Sequence, residues 1–341
     1  MASNYNPHYY TLDYIPKYRQ EFIDTKLNWF IKTFEIYPSS WPIDCIKIIE
    51  KIFEKQKIPF VYDFISMPDK VDALAVLKPH PGISPGVYMM LINKNKVRYP
   101  YVNSRDRRAN FTIAHELGHI VLGHLLVPRT NKTDYELYVE EQEAEEFAGR
   151  FLMPQSLILN SNFISIDSVA EHFIVSKQAV WKRLNHLKRL DLLKKEPQLV
   201  CKVCGNKKIS PYAEYCCICG NSINDNTNGV IAFDYSDGYS LNKNNRVLKC
   251  PQCCNEEFSP DAQYCRICGL PLFNYCTNLY YHQCYHKNPG NARFCEICGS
   301  PTLFYSQNLL SDWQQAQNIY YEKLVKEDNT NYFFKVIPST I

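Results

Sequence analysis

Apolar positions fall at helical spacing along much of the first half of the chain. Cys45-Ile46-Lys47-Ile48-Ile49-Glu50-Lys51-Ile52-Phe53 predicts an amphipathic helix. Strand-length apolar runs follow at Ile58–Ile65, Ala73–Leu77 and Val87–Ile92, the last two separated by the turn-rich KPHPGISPG. From Ser104 to Leu125 the period turns helical again, with Phe111, Ala114, Gly118, Val121 and Leu125 on one side and Ser104 or Asp106 as cap. A further helix is predicted over Asp134–Leu152, its buried stripe Ala144, Ala148 and Phe151 or Leu152, with Pro154 as its stop. Short strands before long helices predict an α+β domain built on a small mixed sheet.

The first of these long helices carries His115-Glu116-Leu117-Gly118-His119. Residues four apart on an α-helix differ by about 40° in direction, so both imidazoles project from one face and can grip one zinc ion. Glu116 lies about 60° round from His119. From there its carboxylate can hold an attacking water, accept its proton and pass that proton to a leaving amine. A catalytic zinc needs a third protein ligand. His124 follows His119 by five residues, which puts it about 140° away on a continuing helix and argues against it as that ligand. The second helix offers Glu140-Glu141-Gln142-Glu143-Ala144-Glu145-Glu146. Glu141 shares the inward face of Ala144 and Ala148 and stands ahead of Glu140 and Glu143. Glu145, one turn on, is a candidate to hydrogen-bond a ligating histidine.

FTIAHELGHIVLGH followed by EQEAEEFAGRFLMP resembles the ImmA/IrrE family of metallopeptidases, over residues 45–155. The resemblance implies a gluzincin-like zinc site in which Glu141 joins His115 and His119. Glu145 stands where the family usually has Asp or Asn. The resemblance also implies a substrate class, helix-turn-helix repressors whose cleavage switches on stress-response or mobile-element genes.

Residues 165–193 are patterned as two short helices, capped by Asp167 and Ser176, with Ala170, Val175, Val180, Leu184 and Leu187 as a shared core. This resembles a helix-turn-helix. Residues 165–208 hold ten Lys and Arg against four Asp and Glu. Lys177, Gln178, Lys182 and Arg183, at the start of the second helix, are candidates to contact DNA. A protein-docking role is the competing expectation, since fold alone does not establish DNA binding.

Beyond residue 200 the chain repeats itself: SPYAEYCCICG, SPDAQYCRICG and NPGNARFCEICG. Cys201, Cys204, Cys216 and Cys219 form one CxxC–CxxC set, and Cys250, Cys253, Cys265 and Cys268 a second of the same spacing. Two-residue gaps let both sulfurs of a knuckle reach one tetrahedral zinc. The third set is irregular: Cys276 and Cys284 precede Cys295 and Cys298, and His282 or His286 is an alternative to Cys276. Closed four-thiolate sites leave no open position, so these ribbons are expected to be structural rather than hydrolytic. Tyr212, Tyr215, Tyr264 and Phe294 would suit nucleic acid, and plugging small cores is the plainer role for them. Cys217, Cys254 and Cys45 are left over, Cys45 as a core residue.

Composition adds a little. The 341 residues are 45% hydrophobic and 21% charged, as in a folded protein, and a net charge of +3 names no partner. The start of the chain lacks an apolar signal core and no run of about 18 apolar residues occurs, so a cytoplasmic protein without a membrane partner is expected. There the fifteen cysteines read as zinc ligands rather than disulfides. The expected organisation is a metallopeptidase domain (1–155), a helix-turn-helix-like segment (156–197), ribbons at 198–222, 248–273 and 274–303, a linker at 223–247 centred on the Asn-rich stretch, and a tail from 304 to 341 with one helix near Asp312–Lys326. One catalytic and two or three structural zinc ions go with it. The expected activity is an endopeptidase that makes limited cuts in a regulatory protein. A nucleic-acid-binding regulator with an inactive HExxH is the rival reading.

Overall fold

The computed structural model describes residues 15–36, 41–97, 104–223, 229–278, 284–320 and 323, and only the backbone of 104–106. The proposed Ser104 or Asp106 cap, His282 and residues 324–326 of the C-terminal helix lie outside the described side chains. The chain is α+β and divides into two compact units. One holds residues up to 155 together with 165–193; the other holds 156–164 and most of the chain beyond 194.

In the first unit, α1 (Lys17–Thr33) buries Ile23, Leu27 and Phe30, one stripe at helical spacing. The sequence pattern had not announced this helix. The Asp44 carboxylate caps α2 (Cys45–Lys55), accepting from Ile46 N at 3.0 Å, and the helix turns Cys45, Ile46, Ile48, Ile49 and Ile52 inward. Strands β1 (Phe60–Ile65), β2 (Ala73–His80) and β3 (Ile83–Asn93) form one sheet in the order β1-β3-β2. β1 runs parallel to β3 and β2 antiparallel, so the sheet is mixed and β2 is an edge. KPHPGISPG is mostly strand rather than loop: β2 and β3 extend into it, and the turn falls at Gly82, whose φ of 79° favours glycine.

α3 (Ser104–Leu122) and α4 (Asp134–Leu152) follow. Thr133 and Glu136 close a reciprocal capping box on α4. Buried Asn110 ties α3 to its surroundings, accepting from Cys45 N at 2.9 Å and donating to the carbonyls of Ile43 and Ile174 at 3.0 Å each. α6 (Ile166–His172) and α7 (Lys177–His186) form the helix-turn-helix-like pair. The first cap is Ser165, which accepts from Ser168 N, not Asp167, which pairs instead with Lys177.

The second unit opens with most of α5 (Gln155–Leu159). Its Asn162 side chain donates to the carbonyls of Gln198 and Gly229 at 2.8 and 3.1 Å. The expectation of a linker over 223–247 fails for residues 229–247. Ile231, Phe233, Tyr235 and Val247 are buried. Phe233 N donates to Gly205 O at 2.7 Å and the Tyr235 hydroxyl to Cys204 O at 2.6 Å, so this stretch is part of the first ribbon's packing. Asparagine-rich composition concealed the alternating Ile231, Phe233 and Tyr235; residues 224–228 lie outside the described set. Residues after 303 are likewise not a bare tail. α8 (Leu303–Ser306) places Phe304, with Leu310, in a core shared with Val247, Leu270, Leu272 and Phe273. The short strands β4 (Asn274–Tyr275) and β5 (Lys287–Asn288) complete the third ribbon, and residues 313–320 are helical.

Candidate metal centre

Gly118 sets the distance between α3 and α4. A Cβ there would lie 3.2 Å from the Cα and O of Ala144 and from the Phe147 ring. The absence of a side chain there lets the two backbones approach closely, and that approach brings Glu141 of α4 over the histidines of α3. His115 and His119 stand 3.1 Å apart at Nε2, and Glu141 oxygens lie 3.3 Å from His115 Nε2 and 3.9 Å from His119 Nε2. Tetrahedral ligands about 2.0–2.1 Å from zinc are about 3.3 Å from one another, so the donor set fits that ion. Burial, with His115 alongside, lowers His119 to a pKa of about 3, keeping the imidazole neutral as a metal ligand must be. The hydrogen bond to His115 holds Glu141 below the usual carboxylate range, so it is ionised.

Glu116 is fixed from outside its helix. Its Oε2 accepts the Ala75 N–H of β2 at 2.7 Å, and burial raises its pKa to about 7 against that bond. A carboxylate poised near neutrality can take and return a proton, the property a general base requires.

Glu145 does not reach a histidine: its Oε1 pairs with Lys182 at 2.5 Å. Support for His119 comes from residues to which the sequence reading had given no such role. His124 Nδ1 lies 3.0 Å from His119 Nδ1, His124 Nε2 lies 3.1 Å from Glu143 Oε2, and Arg19 holds Glu143 through two bonds of 2.5 Å. The acceptor-only carboxylate requires His124 to donate from Nε2. His124 Nδ1 then accepts from His119 Nδ1–H, which leaves the His119 Nε2 lone pair facing the ligand cluster. Burial opposes the Glu143 charge, but the bonds from His124 and Arg19 win and hold its pKa below the usual value. Helical periodicity places His124 about 140° from His119 on a continuing helix. It could not show that α3 ends at Leu122 and that Gly123, at φ 82°, turns the chain so that His124 folds back. The other candidate ligands are engaged elsewhere, Glu140 with Lys132 and Glu143 as described.

Three further clusters lie in the second unit: Cys201, Cys204, Cys216 and Cys219; Cys250, Cys253, Cys265 and Cys268; and Cys276, Cys284, Cys295 and Cys298. Neighbouring sulfurs are 3.4–3.7 Å apart. That is far from the bonded distance of about 2.05 Å and close to the spacing of about 3.8 Å around tetrahedral zinc. In the third cluster Cys276 is among the four, while His286 is drawn off to Glu296 at 3.0 Å. Cys45 is buried in the first unit and Cys217 in the second, whereas Cys254 is exposed.

The basic face expected on α7 is partly interior. Arg183 is buried, donating to Met153 O at 3.1 Å and lying 3.4 Å from Glu146. Glu146 also accepts from His186 and Arg150. Of the four residues expected to face DNA, Arg183 therefore serves to hold α7 on α4.

Residues 98–185, which span α3, α4 and the helix pair, match the family model of the IrrE N-terminal-like domain, peptidase family M78. The chain carries an IrrE N-terminal-like domain. No curated protein matches the chain. Among solved structures, a Mycobacterium tuberculosis transcriptional regulator is similar at 18% identity and a TM-score of 0.30, over 52% of this chain and 54% of that one. The chain thus spans about half of that protein's length. The IrrE-like domain is of metallopeptidase type, and no described helix is long and apolar enough to cross a membrane.

Proposed function

We propose that the IrrE-like domain is a zinc-dependent endopeptidase that makes limited cuts in a regulatory protein. The observation that carries this reading is the pairing of a three-donor cluster at zinc-ligand separations with a carboxylate, Glu116, anchored beside it by Ala75 N–H. His115, His119 and Glu141 hold the ion; bound there, zinc supplies Lewis acidity that polarises a scissile carbonyl. Glu116 accepts the proton of the attacking water and delivers it to the departing amine. The edge of β2 that does not pair with β3 is where the substrate strand adds: Ala75 N–H, which Glu116 engages, points off the sheet, and by the two-residue period Leu77 N–H points the same way.

The substrate we assign is a helix-turn-helix repressor, as the family resemblance implies. Use of α7 as a DNA-reading helix is disfavoured by the burial of Arg183, whereas packing of α6 and α7 beside the domain suits a role in substrate docking. The twelve clustered cysteines hold three structural zinc ions, giving four ions per chain with the catalytic one. The test is mass spectrometry of newly formed protein N-termini in host cells making the native chain or Glu116→Ala. A terminus inside a repressor, present only with the native chain, is the expected result. Identical termini in both, under several stresses and with zinc bound, would overturn the reading.

A further inference from the structure

Ribbons 1 and 3 pair with each other by an approximate two-fold rule. Glu214 N and Tyr215 N donate to Glu296 O at 2.8 and 2.9 Å. In return Arg293 N and Phe294 N donate to Cys217 O at 2.8 and 3.0 Å. Aligned on their third cysteines, Cys216 and Cys295, these are the same positions in the two repeats. Each ribbon gives the two N–H groups before its third cysteine to the carbonyl just after the partner's. The aromatic rings obey the same rule. A Cβ on Gly220 would lie 2.8 Å from the Phe294 ring, and one on Gly299 would lie 2.8 Å from the Tyr215 ring. Each ring therefore covers the other ribbon's glycine. A surface that pairs with its own equivalent in this way is self-complementary.

Ribbon 2 presents the same edge, and among the described residues no other ribbon pairs with it. Its matching residues are Gln263, Tyr264, Arg266 and Gly269, each of them exposed. Tyr264 is 64% exposed and Ile267 67%, whereas the residues equivalent to Ile267, Ile218 in ribbon 1 and Ile297 in ribbon 3, are 0% and 37% exposed. Gly269 keeps the left-handed φ of 75°, like Gly220 and Gly299, but a Cβ there would meet nothing within 4 Å. Among the described residues, the amides of Gln263 and Tyr264 have no backbone acceptor and Arg266 O no backbone donor.

We propose that ribbon 2 pairs with ribbon 2 of a second copy of this chain, through the edge that joins ribbons 1 and 3. Tyr264 of each copy covers Gly269 of the other, and the amides of Gln263 and Tyr264 donate to the facing Arg266 carbonyl. The two Arg266 side chains lie near the symmetry axis, where each retains Glu257 of its own chain as counter-ion. One ribbon edge buries less than a standard interface, so the dimer forms in the micromolar range rather than below it.

Sedimentation of the zinc-loaded full chain across concentration tests this, beside Tyr264→Ser, Gly269→Asn and the control Tyr212→Ser. Asn tolerates the left-handed backbone, so Gly269→Asn adds bulk without forcing the turn. Native chain and control should pass from 39.9 kDa to twice that mass, and the two edge variants should need at least about tenfold more protein to do so. Zinc content equal to the native chain's shows that each variant is folded. Hydrogen exchange supplies a second readout: the Gln263 and Tyr264 amides become protected as protein concentration rises. A native chain that stays monomeric at about 100 μM, more than tenfold above a low-micromolar dissociation constant, overturns the proposal. So does a dimer that survives both edge substitutions.

Discussion

The His115–His119–Glu141 centre and the cysteine clusters are both metal-type donor sets, yet they are built in opposite ways. Each cysteine cluster closes within a short stretch of chain, and CxxC turns carry all of its sulfurs in ribbons 1 and 2 and two of them in ribbon 3. The histidine–glutamate centre takes three donors from two helices, and its geometry depends on how those helices pack. Gly118 sets the approach, the Arg19–Glu143–His124 chain orients His119, and β2 pins Glu116. A closed tetrahedral set serves folding, whereas three donors and a neighbouring base leave a position for water or substrate. Local turns suffice for the first purpose, and tertiary packing is needed for the second.

Metal removal should separate the two regions most widely. Structural zinc in small domains contributes about 10–16 kcal/mol, so a strong chelator should unfold the ribbons while circular dichroism of the isolated 15–193 segment stays helical. Unfolding of both would break the comparison. A smaller effect is expected at Glu146, which joins α4 to α7. Burial pushes its pKa up, but the His186 hydrogen bond with Arg183 and Arg150 outweighs this and holds it at about 2. Its charge therefore stabilises the fold above an unfolded pKa of 4.5, and that contribution is lost as pH falls through 2. Glu146→Gln should cost about 3 kcal/mol at neutral pH in denaturant unfolding, and the gap to the native chain should close between pH 4.5 and 2.

The third prediction concerns His124. His124→Leu should weaken zinc binding at the His115–His119–Glu141 centre about 10- to 100-fold in chelator competition and leave zinc binding at the cysteine clusters unchanged. Equal affinity would show that the chain behind His119 does not orient it. The smallest effect belongs to Gly118→Ala. Contacts of 3.2 Å require shifts of a few tenths of an ångström, for about 1 kcal/mol of overpacking. Zinc affinity at the α3–α4 centre should fall with it, and thermal melts of the second unit should not move.

The sequence and the structure agree where chemistry is local. Helical period located α2, α3 and α4, and cysteine spacing marked the ribbons. What could not be read depends on residues distant in the chain. Arg19 meets Glu143 across 124 residues. Glu145 pointed the right way by helical phase alone, but α7 placed Lys182 opposite it. Residues 229–247 looked like linker by composition and fold as ribbon core because Gly205 lets Phe233 approach. Pairing between ribbons 1 and 3 uses backbone groups, which side-chain identity scarcely encodes.

The most direct test of the account is a count of zinc per chain by native mass spectrometry, for the native chain, Glu116→Ala and Glu141→Ala. Four ions in the native chain and in Glu116→Ala, with three in Glu141→Ala, is the predicted result: one open centre held by α3 and α4, and three closed ones. Three ions in the native chain, or no loss with Glu141→Ala, would contradict it.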